Sequence, residues 1–120
     1  MTAEGRVNVK SARDTDVAPL GSLEEHVMLA VVRTAPEAYG MNVRRELERV
    51  TGRAVTIGSV YITLDRLEAK GLVISARSAV AGIAAPRRVF DVTKAGARAL
   101  AETRRMRECL WAGIALPARS

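Results

Sequence analysis

A chain of 120 residues, 48% hydrophobic and 27% charged, has room for one modest core and an appended helix but little for a second core. Lys and Arg total 19 against 13 Asp and Glu, and the resulting charge of +6 favours a polyanionic partner, either nucleic acid or an anionic membrane surface. Cys109 is the only cysteine and His26 the only histidine, which excludes an intrachain disulfide and the common Cys/His zinc sites; no apolar run approaches the ~20 residues that cross a bilayer.

The first 19 residues contain no apolar stretch of the kind a secretory signal needs, so a cytoplasmic protein is expected, with no membrane partner and no cofactor. Residues 1–18 mix small, polar and charged side chains without a period and read as a flexible N-terminal arm. "SLEE" opens the first helix, with Ser22 as its cap and Glu25 completing a capping box; Leu23, Val27, Ala30 and Val31 recur at helical spacing, and Thr34-Ala35-Pro36 stops it. A second helix is expected from Tyr39 to Thr51, with Tyr39, Val43, Leu47 and Val50 as its buried stripe, Arg44 and Arg45 on other faces, and Gly52 as its stop.

The third helix, Gly58 to Lys70, turns Val60, Leu64 and Leu67 to the core. At about 100° per residue, Ser59, Thr63, Arg66 and Lys70 are expected on a separate polar and basic stripe, with Tyr61 and Ile62 left on the outer surface. Beyond Gly71 the period changes: the β-branched segment LVISAR pairs with RRVFDV across SAVAGIAAP, whose Gly82 and Pro86 are turn formers. Thr93 then caps a last helix reaching to about Gly113, in which Leu100, Thr103, Met106, Leu110 and Ile114 follow at spacings of three and four. That seam needs a cover, and a second copy of the same helix supplies one, so a homodimer is expected.

Three helices followed by a hairpin is the order of a winged helix-turn-helix. The expected fold class is therefore mainly α with a small β-hairpin: a DNA-binding domain over residues 19–92, then a C-terminal dimerisation helix and tail over 93–120. A recognition helix must approach the floor of the major groove, which the short side chains at Gly58, Ser59 and Thr63 permit, while Arg66 and Lys70 reach phosphates or guanine edges. Ile62 suits a thymine methyl and Tyr61 a phosphate. Arg44, Arg45, Arg87 and Arg88 complete the candidate DNA-binding set. From Arg77 to Arg107 eight basic residues stand against Asp91 and Glu102, so the wing and the helix after it carry the positive excess. Double-stranded DNA is the expected partner, and a winged helix used only for protein contacts is the alternative. No Gly-rich phosphate loop and no nucleophile–base or metal-ligand grouping is found, so an enzyme is not expected.

Residues 20–100 resemble the PadR family of bacterial transcriptional regulators. The resemblance is carried by Ala38-Tyr39-Gly40, by Gly58-Ser59-Val60-Tyr61 followed by Leu64, Arg66, Leu67, Glu68, Lys70 and Gly71, and by Pro86-Arg87-Arg88 through Thr93-Lys94-Ala95-Gly96. Val89 and Phe90 stand where the family commonly has two aromatics. The resemblance implies a homodimeric regulator, usually a repressor, that binds a palindromic operator and dimerises through its C-terminal helix. By position, Ser59, Tyr61 and Arg66 then fall in the DNA-contacting helix, and Arg87 and Arg88 at the wing. Some small members hold flat aromatic ligands between their C-terminal helices, which makes Trp111, the only tryptophan, a candidate effector platform beside the plainer reading of interface packing.

Overall fold

The protein is described by a computed structural model over residues 19–78 and 86–117. The expected N-terminal arm and the Ala-rich wing tip lie outside those residues. The first helix, α1 (Ser22–Thr34), starts one residue earlier in register than the capping-box reading had it: Gly21 is the N-cap, and its N–H donates to Glu24 Oε1 at 3.1 Å. Glu25 cannot reach back because it is buried, accepting two hydrogen bonds from Arg107 Nη1 at 2.8 and 2.6 Å. Met28 joins Val27, Ala30 and Val31 in the core, and Leu23 faces solvent.

α2 (Gly40–Thr51) ends where Gly52 takes the left-handed φ of 71°, a conformation that favours glycine. Val43 and Leu47 are buried, whereas Val50, expected on the same stripe, is exposed in the last turn. α3 (Ile57–Ala69) is capped by Thr56, whose Oγ1 accepts the Ser59 N–H at 3.0 Å. Strands β1 (Val73–Ser78) and β2 (Arg87–Val92) pair antiparallel with Val73 opposite Val92 and Ser78 opposite Arg87. β2 is also tied to the start of α2: the Phe90 N–H donates to the Ala38 carbonyl at 2.9 Å, and Phe90 itself is buried at the centre of the core with Met28, Leu64 and Leu67.

α4 (Lys94–Trp111) begins as expected, with Thr93 Oγ1 accepting the Gly96 N–H at 3.0 Å. Its seam divides. Thr103 is buried against the same chain together with Ala99, which lies beside the seam, Thr103 Oγ1 accepting the Leu20 N–H at 3.1 Å, and every residue from Arg107 to Pro117 is exposed. Ile114, expected on the helix, lies beyond it, because α4 ends at Trp111 and Gly113 turns the chain at φ 77°. No helix among the described residues is long and apolar enough to cross a membrane.

Candidate nucleic-acid interface

The buried residues of α3 are Val60, Thr63, Leu64 and Leu67, spaced i, i+3, i+4 and i+7. Thr63 therefore belongs to the core arc, three residues after Val60 and next to Leu64, and does not share the outward stripe assigned to it. The side of α3 turned away from the core carries Gly58, Ile62, Asp65, Arg66 and Ala69, all exposed, with Ser59 half-exposed at its edge. Ile62 is 60% exposed and sits between Ser59 and Arg66 on this face. Lying four residues from Gly58, three from Ser59 and four from Arg66, it is at the centre of this face.

Lys70 is not beside Arg66 on that face. It follows the last helical turn and its Nζ pairs with Glu24 Oε2 of α1 at 2.7 Å. The hydrogen bond from Lys70 holds the Glu24 carboxyl below its ordinary range, against a smaller opposing effect of burial. Tyr61 is half-buried, its ring against the start of α2. A Cβ on Gly40 would overlap the Tyr61 ring and hydroxyl, so the glycine makes the seat for the phenol.

Tyr61 opens into a cleft of about 460 Å³ between the start of α2, α3 and the hairpin, lined by Tyr39, Met41, Arg45, Tyr61, Arg77, Pro86, Arg87 and Arg88. Arg87 lies over the Tyr39 ring, 4.0 Å from its centroid. That contact holds the guanidinium at the cleft without engaging a carboxylate, which suits a phosphate. Arg45 meets only Asn42 Oδ1, at 3.4 Å. Among the described residues Arg45, Arg66, Arg77 and Arg87 have no carboxylate partner.

Several other arginines are already occupied. Arg88 pairs with Asp65 and Glu68 of α3, both at 3.0 Å, so among the arginines that line the cleft it is the one already neutralised. Arg44 pairs with Glu48 at 3.4 Å and its Nε is buried without a partner. Arg49 and Arg33 both bond Glu46, and these bonds hold its carboxyl down at about 2 from an ordinary 4.5. Arg77, opposite Arg88 in the hairpin register, is the basic residue of the cleft that was counted in the charge excess but not assigned to the surface. Its signal was in the strand period, since it alternates with Ser78 and Ala76 on a β-ribbon edge.

At the other end of the molecule, Leu110, Trp111, Ile114 and Leu116 are all more than half exposed and line a shallow depression of about 240 Å³. Leu100 and Met106 are half-buried on α4 between this patch and the core. No group of three His, Cys, Asp or Glu side chains among the described residues could hold a metal ion.

The family model of PadR-like transcriptional regulators matches residues 28–102, which spans the helical core, the hairpin and half of α4. A transcriptional regulator of Mycobacterium tuberculosis is 46% identical over 72 residues, 60% of this chain and 64% of its own length. The matched stretch thus covers somewhat less than two thirds of that relative. Among solved structures, a PadR family transcriptional regulator of Eggerthella lenta is similar with a TM-score of 0.61 at 28% identity, over 72% of this chain and 75% of its own. A PadR-like transcription factor of Bacteroides fragilis has the same fold, with a TM-score of 0.64 at 22% identity over 83% and 87% of the two chains.

Proposed function

The chain belongs to the PadR-like family of transcriptional regulators, and we propose that it acts as a homodimeric repressor of a palindromic operator in the bacterial cytoplasm, with α3 in the major groove and the hairpin along the backbone. The family is one of regulators, not enzymes. What supports the reading is an α3 face with Ile62 and Arg66 exposed, next to a cleft in which Arg45, Arg77 and Arg87 have no carboxylate partner among the described residues. On it, Ser59, Ile62 and Arg66 read base edges, and Arg45, Arg77, Arg87 and the Tyr61 hydroxyl hold phosphates. Selection of bound duplexes from random DNA tests the reading and returns the half-site spacing. A dimer with no salt-sensitive DNA affinity would instead favour a winged helix that contacts only proteins.

Gly58 offers a sharp check. A Cβ there would meet no atom within 4 Å, and its backbone lies outside the left-handed region, so nothing in the fold requires glycine. Close approach of DNA to the leading turn of α3 does. Gly58→Ala should leave thermal stability unchanged or raise it by up to about 1 kcal/mol. Affinity for the selected duplex should fall about tenfold, on the order of 1.4 kcal/mol. Unchanged affinity would remove Gly58 from the interface.

Dimerisation is assigned to α4 through Leu100, Met106, Leu110 and, beyond the helix end, Ile114. Leu110 is 75% exposed in the single chain, too much apolar surface at one place to leave in water without purpose. Replacing Leu110 and Ile114 together by Asp should give a monomer by sedimentation equilibrium, with a red shift of Trp111 emission as its ring loses its cover. If the double variant still sediments as a dimer, the interface lies elsewhere. The same fluorophore tests an effector role: a planar aromatic compound that quenches Trp111 while the protein stays dimeric would place a ligand at this patch.

A further inference from the structure

The wing is fastened to the recognition helix by one polar knot. Arg88 Nη2 donates to Asp65 Oδ1 and to Glu68 Oε1, each at 3.0 Å, and its guanidinium lies 4.8 Å from the centroid of the Phe90 ring. Glu68 also accepts the Ser75 N–H at 3.1 Å and the Ser75 hydroxyl at 3.0 Å. A single carboxylate on α3 thus holds both strands, β1 through Ser75 and β2 through Arg88.

The knot also settles a charge conflict. Arg77 and Arg88 face each other across the hairpin, and like charges directly opposite destabilise a strand pair. Asp65 and Glu68 neutralise one of the two and leave the other free at the cleft. An isolated exposed pair would contribute little, and Asp65 is 60% exposed, but Arg88 and Glu68 are both about two thirds buried (side-chain exposure 33% each) and Glu68 is also held by Ser75. That is a device for fixing an angle.

We infer that Arg88 is a positioning residue for DNA recognition: it contacts no phosphate, and instead locks the wing to α3 so that Arg77 and Arg87 meet the backbone in register with Arg66 at the bases. The inference rests on the DNA-binding reading above. It separates two neighbouring arginines in sequence by role, with Arg87 a phosphate donor and Arg88 a brace.

The test uses the full chain, with Arg88→Met, which keeps the stem over Phe90, Arg88→Lys, Glu68→Ala and the Arg88→Met/Glu68→Ala pair, each checked for folding by circular dichroism. In the free protein, amide exchange at Ser75 should be about tenfold faster in Arg88→Met and be restored in part by Arg88→Lys. With the duplex selected from random DNA, Arg88→Met should lower the ratio of specific to non-specific affinity about tenfold while leaving the slope of log affinity against log salt unchanged. Glu68→Ala should lower the ratio as well, although it removes a negative charge, and the double variant should be no worse than either single one. The brace is overturned if Arg88→Met lowers the salt slope by about one and weakens all duplexes equally, or if Glu68→Ala tightens binding, since both are the signature of a phosphate contact. Unchanged exchange at Ser75 overturns it too. Should the unaltered protein bind no duplex at all, the regulator reading fails by itself, and the exchange rates still decide whether the lock exists.

Discussion

Binding of duplex DNA is expected to weaken by about a thousandfold or more as salt rises from about 50 to about 200 mM, the loss that accompanies six or more phosphate contacts. The chain presents Arg45, Arg66, Arg77 and Arg87 without carboxylate partners among the described residues, and the proposed dimer would double the set. Most other arginines near this surface would release an existing ion pair before they could displace a counterion, so they add little to the slope. Fluorescence anisotropy of a labelled duplex across a salt series gives the number directly. A flat response would end the DNA reading and leave the protein-contact alternative. Within that series, Arg66→Ala should relax discrimination at one position of the site by about 1–3 kcal/mol, whereas Arg45→Ala should weaken all sequences evenly and take about one unit from the slope.

The second large effect concerns stability. Gly96→Ala should destabilise the protein by about 3 kcal/mol, at the upper end for overpacking, and lower the melting temperature by about 12 °C or more in a domain of this size. Gly96 lies in the first turn of α4, where a Cβ would overlap the Leu72 carbonyl oxygen and come within 2.9 Å of Val92 Cγ1. Backbone cannot rotate aside as a side chain tip can. The obstacle is also held in place, because the Leu72 carbonyl accepts the Thr93 N–H at 3.1 Å and the Thr93 hydroxyl donates to the Gly71 carbonyl at 2.7 Å. A melting temperature within a few degrees of the parent protein would mean that α4 can shift outward at low cost. Gly40→Ala meets the softer ring of Tyr61 and should cost less.

Much of this architecture was legible in the chain. Changes of hydrophobic period, the stops at Gly52 and Gly71, and the cap at Thr93 are local signals, and the helices and the hairpin follow from them, whereas the strand register, with β1 running one residue later than LVISAR, does not. The sequence is least legible where a distant partner decides. Lys70, expected on the groove face, is bonded to Glu24, 46 residues away. Glu25, expected in a capping box, is bonded to Arg107, 82 residues away. Arg88, expected at the DNA beside Arg87, has partners on α3 that are 20 and 23 residues earlier. Thr63 is a different case: it lies four residues from Ser59 and three from Arg66, and equally three from Val60 and one from Leu64, and the packing of α3 turns it to the core.

Glu24 and Glu25 are neighbours in sequence, yet one is bonded to the residue that ends α3 and the other to α4. A single turn of backbone is therefore the common reference for the helix assigned to DNA and the helix assigned to the partner subunit. An error introduced in that turn cannot be confined to either surface. A substitution or a one-residue insertion there would displace both together, far from anything the protein touches, and the two defects would be inherited as one.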